Sequence, residues 1–215
     1  MRDMRVFERS SVIAAEMMME VFDRTPTEKE LVSQSKELCR DFIHSRIIRE
    51  GLSWSKVESD LPEPHEALVD VSVVLLKLGD ELECMHPYVY RNIAKQLNIS
   101  VAVEAAVSHA FLSVATEILV MGITWGKVVA IYAVAAGLAV DCVHQGHPVM
   151  VHTIVDSLGE FVRRNLVPWL KKRGGWGDIL KCVVNMDSRA RAHWLSTAVF
   201  TWRQFLKTMY IYLKK

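Results

Sequence analysis

The chain has 215 residues, 51% of them hydrophobic and 24% charged, with 26 basic and 25 acidic side chains and a formal net charge of +1. That length and apolar content suit one domain with a short appendage and exclude a disordered chain, which joins few apolar residues to a large net charge. The charge balance argues against a general nucleic-acid binder, and a mean hydropathy of +0.15 lies between soluble domains and polytopic membrane proteins.

In chain order, nearly everything reads as helix, without strand-like alternation. Residues 1–25 form an N-terminal segment with Arg2, Arg5 and Arg9 but no apolar run of the secretory kind, and residues 11–22 read as a short amphipathic piece. Thr25-Pro26-Thr27-Glu28 is a start signal, with Thr25 as cap and Glu28 closing a capping box. The helix that follows sets Leu31, Leu38 and Phe42 beside Val32, Cys39, Ile43 and Ile47 on one apolar face. It fades at Glu50-Gly51. Residues 51–64 read as a linker ending in Leu61-Pro62-Glu63-Pro64.

A second helix is expected over residues 65–84, a short one over 88–97 and another over 103–121. Residues 128–140 are thirteen positions without a charge, bracketed by Lys127 and Asp141. A helix apolar on every side belongs in a core or a membrane, and spanning takes about twenty apolar residues. Gln145-Gly146-His147-Pro148 turns the chain into a helix over 149–162, making an apolar hairpin. The expected fold is all-α, a bundle of about eight or nine helices over residues 26–187, built around that hairpin.

Residues 188–215 carry six basic side chains and no acidic one. Residues 193–213 are long enough to reach about 30 Å as a helix. Arg203 and Lys207 each cost about 2.5–3.5 kcal/mol for insertion, while each Leu, Ile, Val or Phe returns only about 0.3–0.6 kcal/mol. Leu195, Ala198, Trp202, Phe205 and Met209 form a stripe away from these charges, and Trp194 and Val199 add apolar bulk. The tail therefore suits membrane targeting by spanning, by lying in the interface, or by docking in a groove.

Catalytic patterns are absent: there is no Gly-rich phosphate loop, HExxH or GxSxG. Cys142, His144, His147 and His152 form the one metal-like cluster, set against a plain solvated loop or a pH-responsive hairpin tip. Neither a cofactor nor a metal is expected. Cys39, Cys84, Cys142 and Cys182 lie far apart, as in a reducing, cytosol-facing chain.

Val71, Leu75, Leu78 and Leu82 step by four, three and four. They make a narrow stripe suited to a groove, or to a core. Gly79 beside it permits close helix approach, and Asp80 stands at its edge. The spacing also mimics a nuclear export signal. Gly122-Ile123-Thr124-Trp125-Gly126-Lys127 leads into the apolar helix. Trp169 and Trp176 flank Lys171-Lys172-Arg173-Gly174-Gly175, a tight corner with aromatic packing whose basic run suits a membrane surface or a solvated helix end.

These patches, in this order, resemble the B-cell lymphoma two family of apoptosis regulators. Residues 75–82 are similar to its third homology motif, the death motif. Residues 122–127, with the apolar helix behind them, are similar to the first motif, residues 169–176 to the second, and residues 30–42 to the fourth. The resemblance implies a helical bundle whose first and second motifs (Thr124, Trp125, Gly126 and Lys127; Trp169, Gly174, Gly175 and Trp176) line a groove for another protein's death-motif helix. Val71, Leu75, Leu78 and Leu82 would be this chain's anchors and Asp80 its charged partner. The Arg that usually meets that Asp is Lys127 here, a point charge without the bidentate fork. Val128, Ile131, Val134, Ala135 and Leu138 would form the membrane hairpin.

By resemblance the chain is a non-enzymatic, pro-apoptotic effector that homo-oligomerises and permeabilises the mitochondrial outer membrane. The alternative is an interaction module that binds other family members through their death motifs, or regulates an intracellular calcium-release channel. Either places it cytosol-facing on mitochondrial or endoplasmic reticulum membranes, with a soluble cytoplasmic or nuclear pool.

Overall fold

The computed structural model describes residues 26–54, 66–86 and 88–184. It is all-helical, with no strand among the described residues. The first helix, α1, runs Glu28–Arg49. Its cap is Thr27, two residues later than the sequence suggests. Glu30 Oε2 accepts the Thr27 N–H at 2.7 Å, and Thr27 Oγ1 accepts the Glu30 N–H at 3.2 Å. The Thr-x-x-Glu pattern occurs twice in overlap, at 25–28 and at 27–30. The later copy leaves Pro26 outside the helix, where it packs against Gly175. Thr25 lies outside the described residues, as do the expected piece at 11–22 and the linker's interior.

The second helix, α2, spans Glu66–Met85, one residue from expectation. The third, α3, is far shorter than the expected 88–97 and covers only Ile93–Gln96. Asn92 adopts a left-handed conformation (φ 53°) that halts helix propagation toward the N-terminus. The Gln96 amide then folds back to donate to the carbonyls of Tyr88 and Arg91 at 3.2 and 2.6 Å, holding residues 88–91 as turns. Helix α4 runs Glu104–Leu119.

Helix α5, Trp125–His144, is the axis of the bundle. Thr124 caps it, accepting the Lys127 N–H at 3.3 Å. Every residue from Trp125 to Ala139 is buried. Helices α1, α2 and α4 pack around it, together with α6, Met150–Phe161. Gly137 lets the turn before α3 cross α5 closely, since a Cβ there would stand 2.5 Å from the Tyr90 carbonyl oxygen. The chain leaves α6 through a π turn, Val162–Leu166, into α7, Val167–Arg173. Pro168 explains the widened turn, because its ring cannot accommodate a regular i−4 carbonyl. Gly174 closes α7 in a left-handed conformation (φ 88°). A 3₁₀ turn, Trp176–Leu180, and a last helix, α8, Lys181–Val184, follow.

Candidate functional site

The α2 stripe is the sequence feature most directed at a partner, yet its anchors face inward. Val71, Leu75, Leu78 and Leu82 are at most 1% exposed in the chain's own core. Gly79 is buried beneath Phe42, and a Cβ there would lie 2.3 Å from Phe42 Cζ. Phe42 in turn packs edge-on against Tyr132 of α5, with centroids 6.1 Å apart. In this conformation the anchors cannot enter another molecule's groove.

Two ion pairs fasten the outer edge of α2 to the last turns of α1. Arg46 pairs with Glu83, and both side chains are almost fully buried. Arg49 meets Asp80 at 2.6 Å, with both partners half-exposed. Burial pushes the Arg46 guanidinium below its ordinary pKa, with Glu50 opposing that shift. Asp80, expected to face a partner's cation, thus meets one within its own chain. The sequence reading missed Arg46, Arg49 and Glu83. Their one visible signal is a pair of arginines in the last turn of a helix, which the helix dipole alone already explains.

The first motif also turns inward. Trp125, Gly126 and Lys127 are buried, and Thr124 is spent as a helix cap. Lys127 Nζ donates to the Gly122 carbonyl at 3.0 Å. The cation expected at a groove wall is 3% exposed and tied to local backbone.

The second motif joins the first through aromatic rings. Trp125 lies 4.9 Å from Trp169 and 5.9 Å from Trp176, centroid to centroid. Trp176 Nε1 donates to the Leu31 carbonyl at 3.0 Å, pinning this corner to α1. Asp178 accepts from Trp125 Nε1 at 2.9 Å and pairs with Arg173 and Lys181 at 2.9 and 3.0 Å. Burial raises the Asp178 pKa, but these three donors outweigh it and hold the carboxyl below its ordinary value. Arg173 also stacks 4.6 Å above the Trp169 ring. Gly174 and Gly175 make the corner expected between the tryptophans, and Lys171 and Lys172 are exposed.

Val128, Ile131, Val134, Ala135 and Leu138 are all buried in α5. This helix is, among the described residues, the one long and apolar enough to cross a membrane, and 89% of that window is packed inside the bundle. Cys142 is buried while His144 and His152 are exposed, and no cluster of three or more metal-ligating side chains occurs among the described residues. The tail residues Trp194, Leu195, Val199, Trp202, Arg203, Phe205 and Lys207 lie outside the described residues.

Comparison with known proteins agrees with this architecture. A family model for apoptosis regulator proteins of the Bcl-2 family matches residues 75–176, from the α2 stripe to the second tryptophan. The Bcl-2-related ovarian killer protein homolog B of Danio rerio is 85% identical over 212 residues, 99% of this chain and 100% of that protein. The crystal structure of chicken BOK superposes with a TM-score of 0.66 at 64% identity, covering 73% of this chain and 98% of that one. Trichoplax adhaerens trBcl-2L2, solved bound to trBak BH3, matches with a TM-score of 0.63 at 25% identity over 71% of this chain and 99% of that one. At the identity and coverage of the Danio rerio relative, the chain belongs to the Bcl-2 family and is an apoptosis regulator rather than an enzyme.

Proposed function

We propose that the chain is a pro-apoptotic effector whose resting fold stores a membrane-active hairpin beneath a clasped death-motif helix. The carrying observation is α5, which combines membrane-crossing length and composition with near-complete burial. Exposing such a helix to water costs hydrophobic free energy along its whole length, whereas a bilayer accepts it with its backbone already hydrogen-bonded. Activation separates α2 from α1 and brings Val71, Leu75, Leu78 and Leu82 out of the core. They dock on a second copy, oligomers grow, and the α5–α6 hairpin enters or lies upon the mitochondrial outer membrane. The chain works cytosol-facing on that membrane and on the endoplasmic reticulum, and the basic, apolar tail at 188–215 supports its targeting there.

The test is dye release from liposomes of outer-membrane-like lipid composition, with the full chain and no activator. Release accompanied by cross-linkable multimers is expected. An intact dye signal, both with and without an added death-motif peptide, would sink the effector reading.

A second reading draws on the Trichoplax relative, which was solved holding a BH3 segment. In it, this chain captures other members' death motifs, or contacts a calcium-release channel, without permeabilising anything. Burial of Lys127 against Gly122 weighs against tight capture, because the groove wall then offers no free cation at that position. Submicromolar peptide binding with sealed liposomes would favour this second reading.

A further inference from the structure

Two charges bracket the apolar run of α5, Lys127 and Asp141, and both are buried and spent on backbone. Lys127 donates to the Gly122 carbonyl, while Asp141, 9% exposed, accepts the Ala94 N–H at 2.8 Å. The Ile93 N–H reaches the same carboxylate. These are the first N–H groups of α3, and its own cap leaves them open, because Asn92 is left-handed and its side chain makes no capping bond. Asp141 thus caps α3 from another helix. One turn earlier on α5, Gly137 admits the Tyr90 carbonyl. Gly137 and Asp141 together seat residues 90–94.

That seat has few other fastenings. A helix of four residues does not hold itself. The Gln96 amide bonds only within the segment, to the carbonyls of Tyr88, Val89 and Arg91. Among the described residues, Asp141 is the one side chain that hydrogen-bonds residues 88–97 to another helix. It is also a buried carboxylate without an ion pair among those residues. Arg46 of α1 is taken by Glu50 and by Glu83 of α2, and Arg91, Lys95 and His144 line the same recess without pairing with Asp141.

Burial disfavours the ionised form of a carboxyl group. At Asp141 it is the largest influence and lifts the pKa above the ordinary value, against the pull of the two N–H donors and His144. The folded chain therefore keeps this proton at pH values where the unfolded chain has lost it, and the stability it brings is lost as pH rises through the folded value. Protonation removes the buried charge and leaves a carbonyl oxygen for the Ala94 N–H. We propose that Asp141 is a proton-operated catch on α5: ionised, it holds residues 90–94 loosely, and protonated, it holds them tightly. The catch belongs to the resting bundle and does not rest on the effector reading.

Amide hydrogen exchange of the full chain, read by NMR as protection factors, tests it. Protection of Ile93 and Ala94 should rise about threefold or more between about pH 7 and about pH 4.5, while Ile154 in α6 changes by less than about twofold. Asp141→Asn keeps an acceptor oxygen without the charge, so it should match or exceed wild-type protection at neutral pH and lose the pH response. Asp141→Ala should lose about fivefold or more at both pH values through the missing cap. Histidine also changes charge across this range, and His144→Gln should keep the response. The proposal is overturned if wild-type protection is flat or falls in acid, or if Ile154 follows Ile93 and Ala94. It is equally overturned if Asp141→Asn is less protected than wild type at neutral pH, or if His144→Gln abolishes the response.

Discussion

Phe42 occupies the space that any side chain at position 79 would need, so Gly79 matters to the resting fold before it matters to a partner. Gly79→Ala should lower unfolding free energy by about 1–3 kcal/mol, the range for overpacking a filled core, as read by urea denaturation. Gly79→Glu should cost more, so its effect on killing alone cannot separate lost docking from lost folding. Asp178 carries a pH signature. Its folded pKa lies below the ordinary value, so its stabilising contribution is present above pH ~4 and is lost as pH falls through the lower folded value. Asp178→Asn should therefore be less stable than wild type at neutral pH, with the gap closing under acid, as thermal melts across pH 2–7 would show. The sequence reading singled out Gly79 for close helix approach but could not name the neighbour, because Phe42 is 37 positions away. Lys127 was harder to place: a lysine at the mouth of an apolar helix ordinarily points to water, and only the turn at Gly122 shows where its amine goes.

Among the elements, the α1–α2 contact carries the largest predicted effects. Glu83→Ala leaves Arg46 as a buried charge without its main partner and should cost about 3–5 kcal/mol. Asp80→Ala breaks an exposed pair and should cost about 1 kcal/mol or less. Chemical denaturation of the two variants side by side checks that contrast. At the start of α1, Thr27→Ala should cost about 1 kcal/mol through loss of the capping box, which also confirms the register of the cap. The helices α2, α4, α5 and α6 were readable from apolar periodicity, with ends within a few residues. The two misreadings have different causes. The cap pattern is doubled in the sequence, and the stretch 88–97 has helical composition but is bent by the left-handed Asn92 and the Gln96 amide. Neither bend leaves a periodicity to read.

For the molecule as a whole, the bundle is all-helical as expected, and α5 stands at its centre because no other position hides a helix apolar on every side. The stripe on α2 illustrates what periodicity leaves open. A narrow apolar face fits a groove and a core equally well, and here the resting chain uses it as core. An effector must reverse that choice, so weakening the clasp and charging the hairpin should act in opposite directions although both destabilise the bundle. The deciding measurement is liposome dye release by Glu83→Ala and Ala135→Asp beside the wild-type chain. Effector activity predicts faster release from Glu83→Ala, whose hairpin is intact and whose clasp is loosened. It predicts loss of release from Ala135→Asp, whose carboxylate costs about 2.5–3.5 kcal/mol at the middle of a membrane helix. Faster release from both variants would mean that any unfolding suffices to disturb the bilayer, and would contradict a stored, membrane-active α5.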